Sequence, residues 1–201
     1  MVRVPVLSAA AIPPFRLWAA GYLLLNPDEG RYAMSAPELL EIDEQLVAVL
    51  VKCTKDGLMM AGLKPAPIGL SKLLQSKGNV SSIIGFVGPI SGSMIINTSA
   101  ETACFMSGRM LGETLTSLDN QTLDGLCEIA NIIAGQAKAA LSTTDFRFDR
   151  ISVPSVIVGN SYSISHYRGM TSVSVEFELP EMPIKPGERG TFSVNISLMK
   201  I

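Results

Sequence analysis

One histidine, His166, in 201 residues gives little support to a histidine-built zinc site or to a Ser-His nucleophilic pair. Cysteine is nearly as sparse. Cys53, Cys104 and Cys127 are odd in number and form no CxxC pair, which leaves out a disulfide framework and a dithiol redox motif. Each stands in an apolar, helix-like context and reads as a buried thiol in a reducing compartment, so the expected location is cytoplasmic. An excess of positive charge is also missing: 16 basic against 18 acidic residues, with the basic ones scattered, make no nucleic-acid footprint. No apolar run approaches the roughly 20 residues of a membrane span. The spaced glycines of Gly85, Gly88 and Gly92 lack a Gly-Lys-Ser/Thr ending and a following helix, so they are a turn rather than a phosphate loop. A metal site from Asp145, Asp149 and His166 would depend on loop geometry, and no metal ligands are assigned. What is present is core material, 47 % hydrophobic and only 17 % charged residues, enough for one domain with or without an appendage.

Residues 1–36 differ from the rest. Pro5, Pro13, Pro14 and Pro27 punctuate them and no helical or strand period persists. The apolar stretch 16–25 has the flavour of a signal peptide, but it is short, interrupted by Gly21, and followed by Asn26-Pro27-Asp28-Glu29-Gly30 instead of a small-residue cleavage site. The segment is expected to be a disordered arm, or upstream sequence before a true start at Met34, with the domain occupying 37–201.

Within that domain, Leu46, Val49, Leu50 and Cys53 recur at helical spacing, predicting a helix over 38–61 that Gly62 and Pro65 end. Residues 64–80, rich in Pro, Gly, Ser and Lys, read as a loop. Two strands, 82–87 and 93–97, flank a turn at 88–92. Thr98-Ser99-Ala100-Glu101 has the spacing of a capping box for a helix through Met110, closed by Gly112. Asp119 or Asn120 then caps a long helix reaching about residue 141. Residues 152–158 read as a strand containing Pro154, whose missing amide donor puts it at a strand start, edge or bulge. Clean alternation marks two more strands, 171–179 and 191–198, joined by a turn at 186–190. Helices and mostly antiparallel strands in clusters predict an α+β domain with long helices on one face of a sheet. His166-Tyr167-Arg168-Gly169 reads as a charged turn.

The long helix holds the candidate chemistry. At about 100° per residue, Asp124, Glu128, Asn131 and Gly135 fall within roughly 60° of one another. Leu126, Ala130, Ile133 and Ala137 form a stripe on the opposite side, with Leu123 beside them. One face is therefore built for a core, and the other presents a carboxylate and an amide one turn apart. At Gly135 no side chain hinders a close approach, and Ile132 flanks the polar stripe.

Spacing beyond the helix raises the significance of that pair. Asp124, Glu128, Asn131 and Pro154 satisfy Asp/Ser-x3-Glu-x2-Asn-x22-Pro in full, which chance produces in roughly a few per thousand chains of this length at ordinary residue frequencies. The chain thereby resembles the CheC/CheX/FliY family of chemotaxis phosphatases, and is closest to CheX because residues 38–61 contain no second Glu-x-x-Asn. The resemblance covers about 42–201 and includes the text at 83–92 and 152–159. It implies a fold of two pseudo-symmetric halves, each with a long helix and paired strands. It also implies hydrolysis of the aspartyl-phosphate of a response regulator, a phosphorylated CheY-like receiver. In that reaction Asn131 would position the attacking water and Glu128 would dock to the receiver's lysine. Asp124 would be a polar support, Pro154 a backbone former, and Ile132 and Gly135 contact positions. The resemblance further implies no cofactor of the chain's own, Mg2+ in the partner receiver, and a homodimer. Two other readings stay open: a module that binds a phospho-receiver without hydrolysing it, and a switch component like FliM, which shares the fold.

Overall fold

The computed structural model describes residues 43–71, 78–160, 162, 164, 169–183 and 190–200. The expected arm 1–36, the start of the first predicted helix at 38–42, His166 and most of the turn at 186–190 lie outside the described residues.

Helix α1 runs Glu44–Met59, opened by Asp43, whose Oδ1 accepts the Leu46 N–H at 2.9 Å. Strand β1, Ala66–Ser71, follows where a loop was expected. Its Pro67 and Gly69 carry weak strand propensity. The register with its neighbour shifts between those two residues, a disruption that only a sheet edge tolerates well. Strands β2, Val80–Val87, and β3, Ile90–Thr98, form the predicted hairpin, but its turn is shorter than 88–92 because β3 already begins at Ile90. Helix α2, Ala100–Leu111, is capped by Ser99 and not by Thr98. Thr98 is held in the ladder between Val80 and Phe192, so the next hydroxyl accepts the Thr102 N–H, at 3.1 Å. Gly112, at φ 72, ends the helix in the left-handed conformation that a residue without Cβ adopts cheaply. Helix α3, Asn120–Leu141, has Asp119 as its cap. Then come β4 (Arg150–Ile151), β5 (Ser155–Val158), β6 (Thr171–Glu178) and β7 (Thr191–Lys200). Of the strand expected over 152–158 only 155–158 forms, as β5; β4 precedes that span, and Pro154 lies outside both strands, immediately before β5.

The seven strands of the described residues join one antiparallel sheet in the order β1-β6-β7-β3-β2-β4, with β5 also on β2. Its organisation is two α-β-β-β units, α1-β1-β2-β3 and α3-β5-β6-β7, whose hairpins meet where β3 pairs β7. Each unit lends its first strand to the other: β1 pairs β6, and β5 pairs β2. Helix α1 accordingly lies over β6 and β7, and α3 over β2 and β3. The alternation read from sequence faces those helices, since Val173, Val175, Phe177, Phe192, Val194, Ile196 and Leu198 are all buried. The other face of the central strands is lined by small polar residues. There the buried Asn97 donates to Ser81 Oγ at 2.9 Å, and Asn195 donates to Ser172 Oγ at 3.0 Å. No helix among the described residues is long and apolar enough to cross a membrane.

Candidate functional site on helix α3

Packing sets the orientation of α3. Leu126, Ala130, Ile133 and Ala137 are wholly buried, with Ile129 and Ala134 beside them. Burying side chains of this size contributes on the order of 1.5–3 kcal/mol for each Leu or Ile, so rotation about the helix axis is costly. Two close approaches tighten the register. A Cβ at Gly125 would lie 2.7 Å from Ser107 Cβ on α2, and one at Gly57 of α1 would lie 2.9 Å from Ile133 Cγ1. The cap completes it: Asp119 Oδ1 accepts the Thr122 N–H at 3.0 Å and Oδ2 accepts the Ser117 hydroxyl at 2.9 Å. Those bonds, the backbone one foremost, hold the Asp119 carboxyl below its ordinary range.

With the apolar stripe locked inward, Asp124, Glu128 and Asn131 emerge together on the solvent side. None of the three makes a side-chain hydrogen bond or ion pair within the described residues. The counterpart helix α1 differs here, since its exposed Lys52 and Asp56 satisfy each other. Gly135 is half-buried by its neighbours, yet an added Cβ would meet nothing within 4 Å. Gly125 has an internal packing reason and Gly135 has none. Ile132 is half-buried, with its Cγ2 at 3.4 Å from a Cβ built on Gly57, so it leans toward α1 from the edge of the stripe. Cys127 is half-buried, not buried as expected. Burial raises its thiol, and the Ser82 hydroxyl beside it eases ionisation, although the pair lacks the alignment of a good hydrogen bond.

Past the stripe, an open depression of about 290 Å³ is lined by Gly135, Lys138, Ala139, Ser142, Arg147, Phe148 and Asp149. Arg147 and Asp149 pair at 3.3 Å across its rim. No group of three or more His, Cys, Asp or Glu among the described residues could hold a metal ion. The arrangement can therefore offer an amide and a carboxylate to a group brought by another molecule.

Residues 80–178, from the start of β2 to the end of β6, match the family described as Chemotaxis phosphatase CheX. In three dimensions, the chemotaxis protein CheX from Desulfovibrio desulfuricans superposes with a TM-score of 0.65 at 29 % identity, over 77 % of this chain and 99 % of that one. The chain is thus similar to CheX chemotaxis proteins by both comparisons. A CheC-like superfamily protein from Shewanella sp. PV-4 matches this CheX-like domain with a TM-score of 0.66 at 25 % identity, covering 79 % of this chain and 99 % of that one. The CheX-CheY-BeF3-Mg2+ complex from Borrelia burgdorferi matches with a TM-score of 0.59 at 27 % identity, over 78 % and 98 %. No curated protein matches the chain significantly.

The α+β fold and the likeness to CheX expected from the sequence are thus present in the structure. The CheX match contains all four pattern residues and both elements that carry them, α3 and the segment leading into β5. Sequence reasoning had no handle on the depression at Lys138 and Arg147, because it forms where the aperiodic turn after α3 folds back beside the end of the helix. The break at residues 152–154, between β4 and β5, was likewise hidden. Only the pairing with β2 reveals it.

Proposed function

We propose that this CheX-like domain is a response-regulator phosphatase that hydrolyses the aspartyl-phosphate of a CheY-like receiver. The observation that carries the reading is the exposed Glu128–Asn131 pair, without a side-chain partner among the described residues, on a helix whose rotation is locked by its buried face. Asn131 accepts a hydrogen bond from the attacking water and donates to the phosphoryl group, which aligns the water opposite the acyl oxygen. As the new P–O bond forms, the bond to the receiver's carboxylate breaks. That carboxylate leaves as the anion, and the proton of the water passes to phosphate and solvent. Alignment is most of what such a reaction needs. Glu128 takes the receiver's lysine in a charge-assisted contact and fixes the docked orientation. Asp124 supports the stripe, Gly135 and Ile132 contact the receiver, and Pro154 shapes the neighbouring backbone. The Mg2+ belongs to the receiver, and no cofactor is assigned to this chain. The glycine at 135 supports the reading, since a helix-interior glycine costs about 0.5–1 kcal/mol relative to alanine and, among the described residues, nothing lies within 4 Å of where its Cβ would be.

The same proposal includes a cytoplasmic homodimer whose domain begins near residue 37, with residues 1–36 outside it. The strands that end the sheet among the described residues, β1 on one side and β4 and β5 on the other, support a paired state.

Single-turnover phosphate release from a phosphorylated CheY-type receiver tests the mechanism. Asn131→Ala is expected to bind the receiver normally and to lose roughly 10²-fold or more in rate, the usual cost of a well-placed transition-state contact. Glu128→Ala is expected to weaken binding and turnover together. Both should keep their stability within about 0.5 kcal/mol in urea melts, as exposed positions do. Near-normal hydrolysis by a folded Asn131→Ala protein would end the mechanism. Tight binding by the unaltered protein with no hydrolysis at all would favour the non-catalytic binding module.

A further inference from the structure

Between β4 and β5 the chain does something that neither strand requires. Phe86 pairs Ile151 and Ile83 pairs Ser155, so the three residues 152–154 stand opposite only Ile84 and Gly85. That is a β-bulge with one residue to spare. It is held from both sides: Ser152 N–H donates to Gly85 O at 2.8 Å, and Ser152 Oγ accepts the Gly85 N–H at 2.8 Å. The same hydroxyl donates to the Val153 carbonyl at 2.9 Å. The proline ring at 154 fixes φ on the other flank. The outcome is a valine, Val153, held 84 % exposed, the most exposed large apolar side chain among the described residues. Isolated exposed apolar residues are common on protein surfaces and mean little. This one is braced by its backbone, and its place matters more than its exposure.

That place follows from how α3 lies on β2. Near one end, Cys127 meets Ser82. Near the other, Gly135 and Ala139 share a depression with Phe148 and Asp149, and the Asp149 N–H donates to Val87 O at 2.9 Å. Helix and strand therefore run in the same direction. From Ser82 to the point opposite the bulge is about 8 Å at roughly 3.3 Å per strand residue. The same 8 Å along α3, at 1.5 Å per residue, is about five to six residues beyond Cys127. The bulge is level with the turn between Asn131 and Gly135. It is also on their side, because Cys127, which faces the strand, and Asn131 are only about 40° apart around the helix.

Resting on the function proposed above, we propose that the Val153 bulge is the apolar half of the docking site for the phosphorylated receiver. A molecule that brings a phosphoryl group to Asn131 and passes over the bare surface at Gly135 meets Val153 next. The polar stripe handles the reacting group, while the valine buries against an apolar patch on the receiver and adds affinity without touching the chemistry. This also gives Pro154 a physical task, which is to hold the bulge.

The test uses Val153→Asp and Val153→Ser in the full chain, with a CheY-type receiver domain charged with BeF3− and Mg2+ for binding and the phosphorylated receiver for turnover. The expected result for Val153→Asp is a rise of roughly 10-fold in Kd and in KM, the size typical of an anchoring contact. Its kcat should hold at saturating receiver and its melting temperature should not change. Val153→Ser should fall between. Unchanged Kd and KM in both variants, with the unaltered protein active, would overturn the inference and leave the proposed function standing. It is also overturned if Val153→Asp halves the mass seen by light scattering while receiver affinity stays the same, since a second copy of the chain would then cover the bulge. An unaltered protein that neither binds nor hydrolyses the receiver removes the proposed function itself, and this inference with it.

Discussion

Two glycines on α3, ten residues apart, should respond oppositely to the same substitution. Gly135→Ala gains helix propensity, about 0.5–1 kcal/mol, because alanine loses less backbone freedom on folding. Its methyl group meets nothing within 4 Å, so nothing offsets the gain. For a chain of this size the melting temperature should rise by about 1–4 °C. Gly125→Ala gains the same propensity, but its Cβ would stand 2.7 Å from Ser107 Cβ, 3.0 Å from its Oγ and 3.2 Å from its Cα. Relief requires α2 and α3 to move apart, and overpacking of this kind typically costs about 1–3 kcal/mol. The net effect should be a loss of on the order of 1 kcal/mol. Urea melts of the two variants beside the unaltered protein decide the matter. Gly135→Leu extends the argument to function. Leucine is a good helix former, so stability should hold, yet its side chain stands on the docking stripe one turn past Asn131. Receiver dephosphorylation should fall by about 10-fold or more. Destabilisation by Gly135→Ala would refute the open space assigned to that position. Full activity of a folded Gly135→Leu protein would refute the close approach.

Two further outcomes concern the core and the cap. Burial raises the Cys53 thiol to about 11, and Cys53 and Cys104 are nearly inaccessible whereas Cys127 is half-buried. A thiol reagent at mildly alkaline pH should therefore modify Cys127 first, as peptide mapping by mass spectrometry would read, and prior labelling of Cys53 would contradict the packing of α1. The Asp119 carboxyl is held below its ordinary value by the Thr122 amide. A depressed native pKa means a stabilising contribution that is present above the unfolded value of about 4. It is lost as pH falls through the native value. Asp119→Asn keeps an acceptor at the cap, so its stability should decline less steeply on acidification than that of the unaltered protein, and parallel acid limbs in pH-dependent urea melts would contradict the assignment.

Much of the site was legible because a helix converts sequence spacing directly into angle. Once Leu126, Ala130, Ile133 and Ala137 marked the inner face, Asp124, Glu128, Asn131 and Gly135 had to share the outer one, and the structure places them there. The alternating strands expected at 171–179 and 191–198 were readable for a similar reason, since a period of two needs only one buried face. Elements lacking such a period were misread. Strand β1 has the composition of a loop and becomes a strand only because β6 offers an edge to pair with. Thr98 has the chemistry of a cap but is already committed to the ladder, so Ser99 takes the role.

What tertiary structure alone decided is everything that depends on distance between parts far apart in the chain. The absence of histidine pairs, dithiols and basic surplus, the α+β class and the polar stripe on α3 follow from residue types and local periodicity. They need no knowledge of which segment lies beside which. The exchange of first strands between the two α-β-β-β units does need it. So does the difference between Gly125, pressed on α2, and Gly135, open to solvent, since both look alike in sequence. The bulge that exposes Val153 exists only because β2 supplies two residues where the 152–154 segment supplies three. A mismatch between paired strands is a property of the pair, and neither strand carries it alone.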